Sequence, residues 1–67
     1  MAMKVNYDAE VDVVYMRLTD HDIVESEELQ PGMIVDFDAD GKMVAIEFLN
    51  AKERFATDTI RELGEAA

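Results

Sequence analysis

The chain has 67 residues, a formal net charge of −10 from sixteen acidic and six basic side chains, an apolar share of 49% and no cysteine. A chain this short buries only about 60% of the surface its unfolded form exposes, so one small domain is expected, without disulfides or thiolate zinc sites to staple it. The acidity repels phosphate and no basic cluster offsets it, which argues against nucleic-acid binding and against anionic membrane surfaces. It suits a basic protein partner, reached by electrostatic steering. No stretch approaches the ~18 apolar residues of a membrane span and the N-terminus lacks a signal-peptide pattern, so a cytoplasmic protein is expected.

In chain order, Met1-Ala2 precedes Met3, a second candidate start. Met3–Tyr7 alternates apolar and polar side chains, the period of a half-buried strand. Asp8–Asp12 reads as a connecting turn. Val13–Leu18 is a strand with Val14, Met16 and Leu18 on one face and Val13, Tyr15 and Arg17 on the other. After the polar turn Thr19–Asp22, the acidic segment Ile23–Leu29 suits an exposed edge strand, where charge discourages foreign strands. Pro31-Gly32 forms a turn, with proline fixing φ and glycine taking positive φ.

Met33–Phe48 then reads as a hairpin closed by Asp38-Ala39-Asp40-Gly41, with Asp38 opposite Lys42 and Gly41 left-handed. Counting back from the turn pairs Phe37 with Met43, Val35 with Ala45 and Ile34 with Ile46. Val35, Phe37, Met43 and Ala45 then share one face, and Ile34, Val44, Ile46 and Phe48 the other. A sheet apolar on both sides needs cover on both, which points to a homodimer. Beyond Phe48, Asn50 is a candidate N-cap for a helical piece over Ala51–Phe55. Thr57-Asp58 could cap a second piece with Thr59 and Glu62 as a capping box, Gly64 as its stop and a frayed Glu65-Ala66-Ala67. Ile60 and Leu63 share one side of it. The expected architecture is α+β: a small antiparallel β-meander of about five strands, with a core over residues 3–55 and a C-terminal helical extension over 56–67.

Chemistry-bearing patterns are few. Asp36, Asp38, Asp40, Gly41 and Glu47 match the calcium loop of the EF-hand, in which carboxylates at set spacings surround one cation. That loop needs flanking helices, and here the flanks read as strands; Glu47 stands roughly 15 Å up the return strand. Asp36, Asp38 and Asp40 therefore remain weak candidates for the alternative role, a small-ligand or calcium-binding protein. His21, the sole histidine, lies between Asp20 and Asp22, a trio able to ligate a metal but more naturally an exposed turn. Ser26 is the sole serine and lacks the setting of a nucleophile. A carboxylate pair could serve glycoside hydrolysis, but no tryptophan platform accompanies it. With no catalytic constellation and no cofactor motif, a non-enzymatic role is expected. Tyr15 and Arg17 are candidate interaction residues, a polar–aromatic patch for a partner or a dimer seam.

The order Tyr7-Asp8-Ala9-Glu10-Val11-Asp12, then Val14-Tyr15-Met16-Arg17, then Pro31-Gly32, then Asp38-Ala39-Asp40-Gly41 resembles the short bacterial "domain of unknown function 2283" family, over about residues 4–54. Ala9 replaces an expected proline, and Val13 a more typical small residue. The resemblance implies a small β-rich fold with a short helix and no assigned activity. It also implies an antitoxin-type role, because members look like neighbours of small toxin-like proteins.

Overall fold

The computed structural model describes residues 3–66, so Met1, Ala2 and Ala67 lie outside the described residues. Five strands, β1 (Lys4–Asp8), β2 (Val13–Arg17), β3 (Glu25–Gln30), β4 (Met33–Phe37) and β5 (Met43–Leu49), are followed by α1 (Ala51–Arg54) and α2 (Thr57–Ala66). All neighbours pair antiparallel, in the order β1-β2-β5-β4-β3. The α+β sheet with its C-terminal helical region is as expected. Within it β3–β4–β5 is a meander, and the β1–β2 hairpin attaches to β5, so β2–β5 form a Greek key.

The link from β2 to β3, residues 18–24, must therefore cross about 14 Å, three strand spacings of about 4.8 Å. It runs past the tip of the β4–β5 hairpin. Leu18 N–H donates to Val44 O at 2.8 Å at its start, and Val24 N–H to Phe37 O at 2.9 Å at its end.

Both glycine turns form. Gly32 and Gly41 take φ of 80° and 77°, values that only a residue without a Cβ adopts freely. Gly41 N–H donates to Asp38 O at 3.0 Å, and Asp38 N–H to Lys42 O at 2.9 Å, closing the hairpin as the turn chemistry requires.

The register beyond that closure differs from the simple count. A bulge at Asp36/Phe37 shifts the pairing by one, so Phe37 faces Met43 but Val35 faces Ile46 and Ile34 faces Glu47. One shift moves a whole strand to the other face. Val35 therefore joins Val44, Ile46 and Phe48 beneath the helices, while Ile34 joins Ala45 and Glu47. The opposite face is not a second apolar surface: its rows are Asn6-Tyr15-Glu47-Ile34-Glu28 and Lys4-Arg17-Ala45-Asp36-Ser26. A face this polar does not need a second copy to cover it, so the expected homodimer loses its basis in a two-sided apolar sheet.

The helical layer covers one side. Tyr7, Val14 and Ala51 form the buried cluster, with Met16, Phe48, Phe55, Ile60 and Leu63 packed around it. Phe48 and Phe55 meet edge-to-face, centroids 5.3 Å apart, a geometry worth about 0.5–1.5 kcal/mol beyond area burial. Val14, Val35 and Val44 are the largest fully buried side chains, each contributing about 1.5–3 kcal/mol by leaving water.

Helix entry also departs from expectation. Asn50 is left-handed, φ 55°, and makes no side-chain cap. The cap comes from Asp12 instead, whose carboxylate accepts Lys52 N–H at 3.1 Å and whose carbonyl accepts Ala51 N–H at 3.0 Å. Gly64 does not stop α2, which continues to Ala66.

Candidate interaction surfaces

Two aspartates organise the two ends of the sheet. At the helical end, Tyr7 Oη donates to Asp12 Oδ1 at 2.8 Å while the same carboxylate holds the first turn of α1. This hydrogen bond, with burial and the negative charges of Asp12 and Asp8, raises the Tyr7 pKa above its ordinary 10.0. Asp12 itself is left-handed, φ 57°, a conformation that aspartate tolerates better than most residues.

At the hairpin end, Asp38 is nearly buried, 8% exposed. Its Oδ1 accepts Asp40 N–H at 2.9 Å and Lys42 N–H at 3.0 Å, and its Oδ2 meets His21 Nδ1 at 2.9 Å. An ionised carboxylate only accepts, so Nδ1 carries the proton and Nε2 faces outward. The His21 bond first, then the Lys42 and Asp40 amides and the imidazole charge, hold the Asp38 carboxyl below its ordinary 3.8, against the opposing effect of desolvation.

Arg17 fastens the crossover from the other side. Its guanidinium donates to Thr19 O at 2.8 Å, to His21 O at 2.7 Å and, at 3.3 Å, to Tyr15 Oη. The two candidate interaction residues thus touch on the face away from the helices, with Arg17 engaged in holding the loop. Tyr15 lines a shallow cleft there with Asn6, Asp8, Val11, Val13 and Glu47. A second depression, at the hairpin tip, is lined by His21, Asp22, Val24, Asp38, Ala39 and Asp40.

The calcium-loop residues are dispersed by the hairpin. Asp36 accepts Ser26 Oγ across β3–β4, Asp38 is committed to the turn and His21, and Glu47 faces Ile34 along β5. His21 partners Asp38, not its flanking Asp20 and Asp22. Among the described residues, no group of three or more histidine, aspartate or glutamate side chains is placed to hold a metal ion.

The sheet also leaves its acidity uncompensated. Among the described residues, only Asp38, with His21, and Asp58, with Arg61, lie within ion-pair distance of a base. Arg54 resembles Arg17 in binding backbone: it donates to Leu49 O at 2.7 Å and to Pro31 O, tying α1 to the β3–β4 turn. Sequence reasoning passed over Asp12 and Arg54 as structural centres; for Asp38 it gave the side-chain bonds to the amides of its turn, now seen at Asp40 and Lys42, but not the bond to His21. The available signal was local for Asp38, at the first position of a glycine turn; each of the other two joins a partner five residues away to one across the fold, and the distant half carries no local signal.

In the comparison against protein-family models, the model described as "Protein of unknown function (DUF2283)" matches residues 4–52. The chain belongs to the DUF2283 family. The match spans β1 through the start of α1, so all five strands of this DUF2283 chain fall within it and α2 falls outside. No curated protein and no solved structure matches the chain. No helix among the described residues is long and apolar enough to cross a membrane.

Proposed function

We propose that this DUF2283 chain is a non-enzymatic protein-interaction module whose partner is basic. The observation that carries the reading is where the few cations go. Arg17 and Arg54 satisfy backbone carbonyls, leaving most carboxylates of a chain with net charge −10 without a basic partner. A field of that sign attracts a cationic protein and speeds its encounter. Tyr15, beside Asp8 and Glu47 in the cleft of the open sheet face, offers an aromatic contact within that field. A module that covers the cationic surface of its partner inhibits it, the antitoxin-type role implied by the family resemblance.

The test is capture from native lysate at low salt on the immobilised chain, followed by elution with rising ionic strength. A stoichiometric basic protein released by salt supports the reading. Retention that ignores salt rejects it.

A further inference from the structure

We infer that the basic partner docks as an added strand along β3; the inference rests on the basic-partner reading above. β3 ends the sheet and all six of its residues are exposed. Leu49 N–H donates to Gly32 O, and the alternation of an antiparallel ladder then turns the backbone of Ile34 and Asp36 toward β5 and that of Met33, Val35 and Phe37 toward β3. Glu25 and Glu27 stand opposite Phe37 and Val35, so their amides and carbonyls face β4. Those of Ser26 and Glu28 face outward. Two N–H groups and two C=O groups thus form a short template for strand addition.

The side chains select the occupant. Glu25 and Glu27 lie on the helix side of β3, and Ser26 and Glu28 on the other, up to the register shift between Glu28 and Gln30. Leu29 is 49% exposed and Val24, just before the strand, 61%. An extended segment with lysine or arginine at alternate positions meets Glu25 and Glu27 and lays its aliphatic stems near Leu29.

A second copy does not fit. In a symmetric antiparallel pairing through the outward groups, Ser26 on the axis sets Glu25 against Glu27 of the other copy. Glu27 on the axis opposes itself, and so does Glu28. Like charges directly opposite destabilise a ladder. The far edge differs, because α2 packs against β1.

The probe is a capped Lys-Val-Lys-Val-Lys-Val peptide, with Lys-Lys-Lys-Val-Val-Val as a control of equal charge and composition, titrated into the full chain at low salt and followed by amide NMR. The alternating peptide is expected to bind about tenfold tighter, the yield of a few added backbone hydrogen bonds. Slowed exchange should centre on the Ser26 and Glu28 amides. Ser26→Pro removes only an outward N–H from the ladder and should abolish the preference, whereas Ser26→Ala, which also loses the hydroxyl bond to Asp36, should keep it. Equal binding of both peptides, or a preference surviving Ser26→Pro, overturns docking at β3 and leaves the basic-partner reading standing. Binding of neither peptide overturns both. Protection of Ser26 and Glu28 that grows with protein concentration in the absence of peptide overturns the choice of occupant.

Discussion

The two ends of this sheet are each gathered by one aspartate, and they are gathered differently. Asp12 holds the helical end by joining Tyr7 on β1, five residues back, to the first turn of α1, 40 residues away. Asp38 holds the hairpin end mostly within its own turn, through Asp40 and Lys42, with one reach to His21 in the crossover. Losing the first should undock an element, and losing the second should loosen a loop. A short-range hub is supported by its own backbone turn even when the distant partner leaves, whereas the long-range hub has no local substitute.

The largest effect is expected from Asp12→Ala. It removes the Tyr7 acceptor and the cap of α1, and it places a Cβ-bearing residue without a local hydrogen-bonding group at φ 57°. The sum is about 2–3 kcal/mol, measured by urea denaturation. Asp12→Asn, which keeps an acceptor and tolerates the left-handed region, should recover most of it. A loss below about 0.5 kcal/mol for Asp12→Ala would show that the apolar contacts of Phe55, Ile60 and Leu63 dock the helices unaided.

The pH extremes should separate the two ends. Asp38 has a folded pKa below its ordinary 3.8, so its contribution is fully present above that value and is lost as pH falls through the folded one. Tyr7 has a folded pKa above 10.0, so its contribution is present below pH 10 and is lost as pH rises through the folded value. Acid should therefore first release the crossover, residues 18–24, and alkali should first release α1 and α2. Amide exchange followed at both limits checks the order. In His21→Ala the Asp38 carboxyl loses its main stabilising bond, and the acid loss specific to the crossover should shrink. In Tyr7→Phe the alkaline loss should disappear. If both limits open the same region, the two hubs are not independent.

How much of this was legible follows from the range of each determinant. Alternation in Val13–Leu18 and Met33–Phe48, the Pro31-Gly32 turn and the Asp38–Gly41 turn are local signals, and each produced its element. The acidic run around β3 also read correctly as an edge. Strand order did not follow, because the pairing of β2 with β5 joins residues far apart and short connections alone suggested a plain meander. The bulge at Asp36/Phe37 moved Val35 to the helix side without any glycine or proline to announce it. Asn50 looked like a cap by residue type, but its side chain gave way to a carboxylate from the β1–β2 turn. Asp36 and Glu47 fitted a calcium loop only until the hairpin placed them on separate partners. Tyr15 and Arg17 were rightly paired on one face, although Arg17 proves to be a fastener of the crossover.

The smallest prediction uses two glycines with nearly the same backbone and different surroundings. Gly32 sits at the helical end and Gly41 at the hairpin end, with φ of 80° and 77°. Alanine at either position meets the same left-handed strain, about 1 kcal/mol. At Gly41 nothing lies within 4 Å of the new Cβ, so the strain should be the whole cost. At Gly32 the Cβ would run into the guanidinium of Arg54, which must move and release Pro31 O or Leu49 O. Gly32→Ala should then cost about 1 kcal/mol more than Gly41→Ala, the value of a lost charge-assisted bond at an exposed site. Combining it with Arg54→Ala should remove the excess, because the obstructing side chain and the bonds it makes are already gone. Equal costs for the two glycines would mean that Arg54 yields freely and that α1 is held to the sheet by Asp12 and the apolar layer alone.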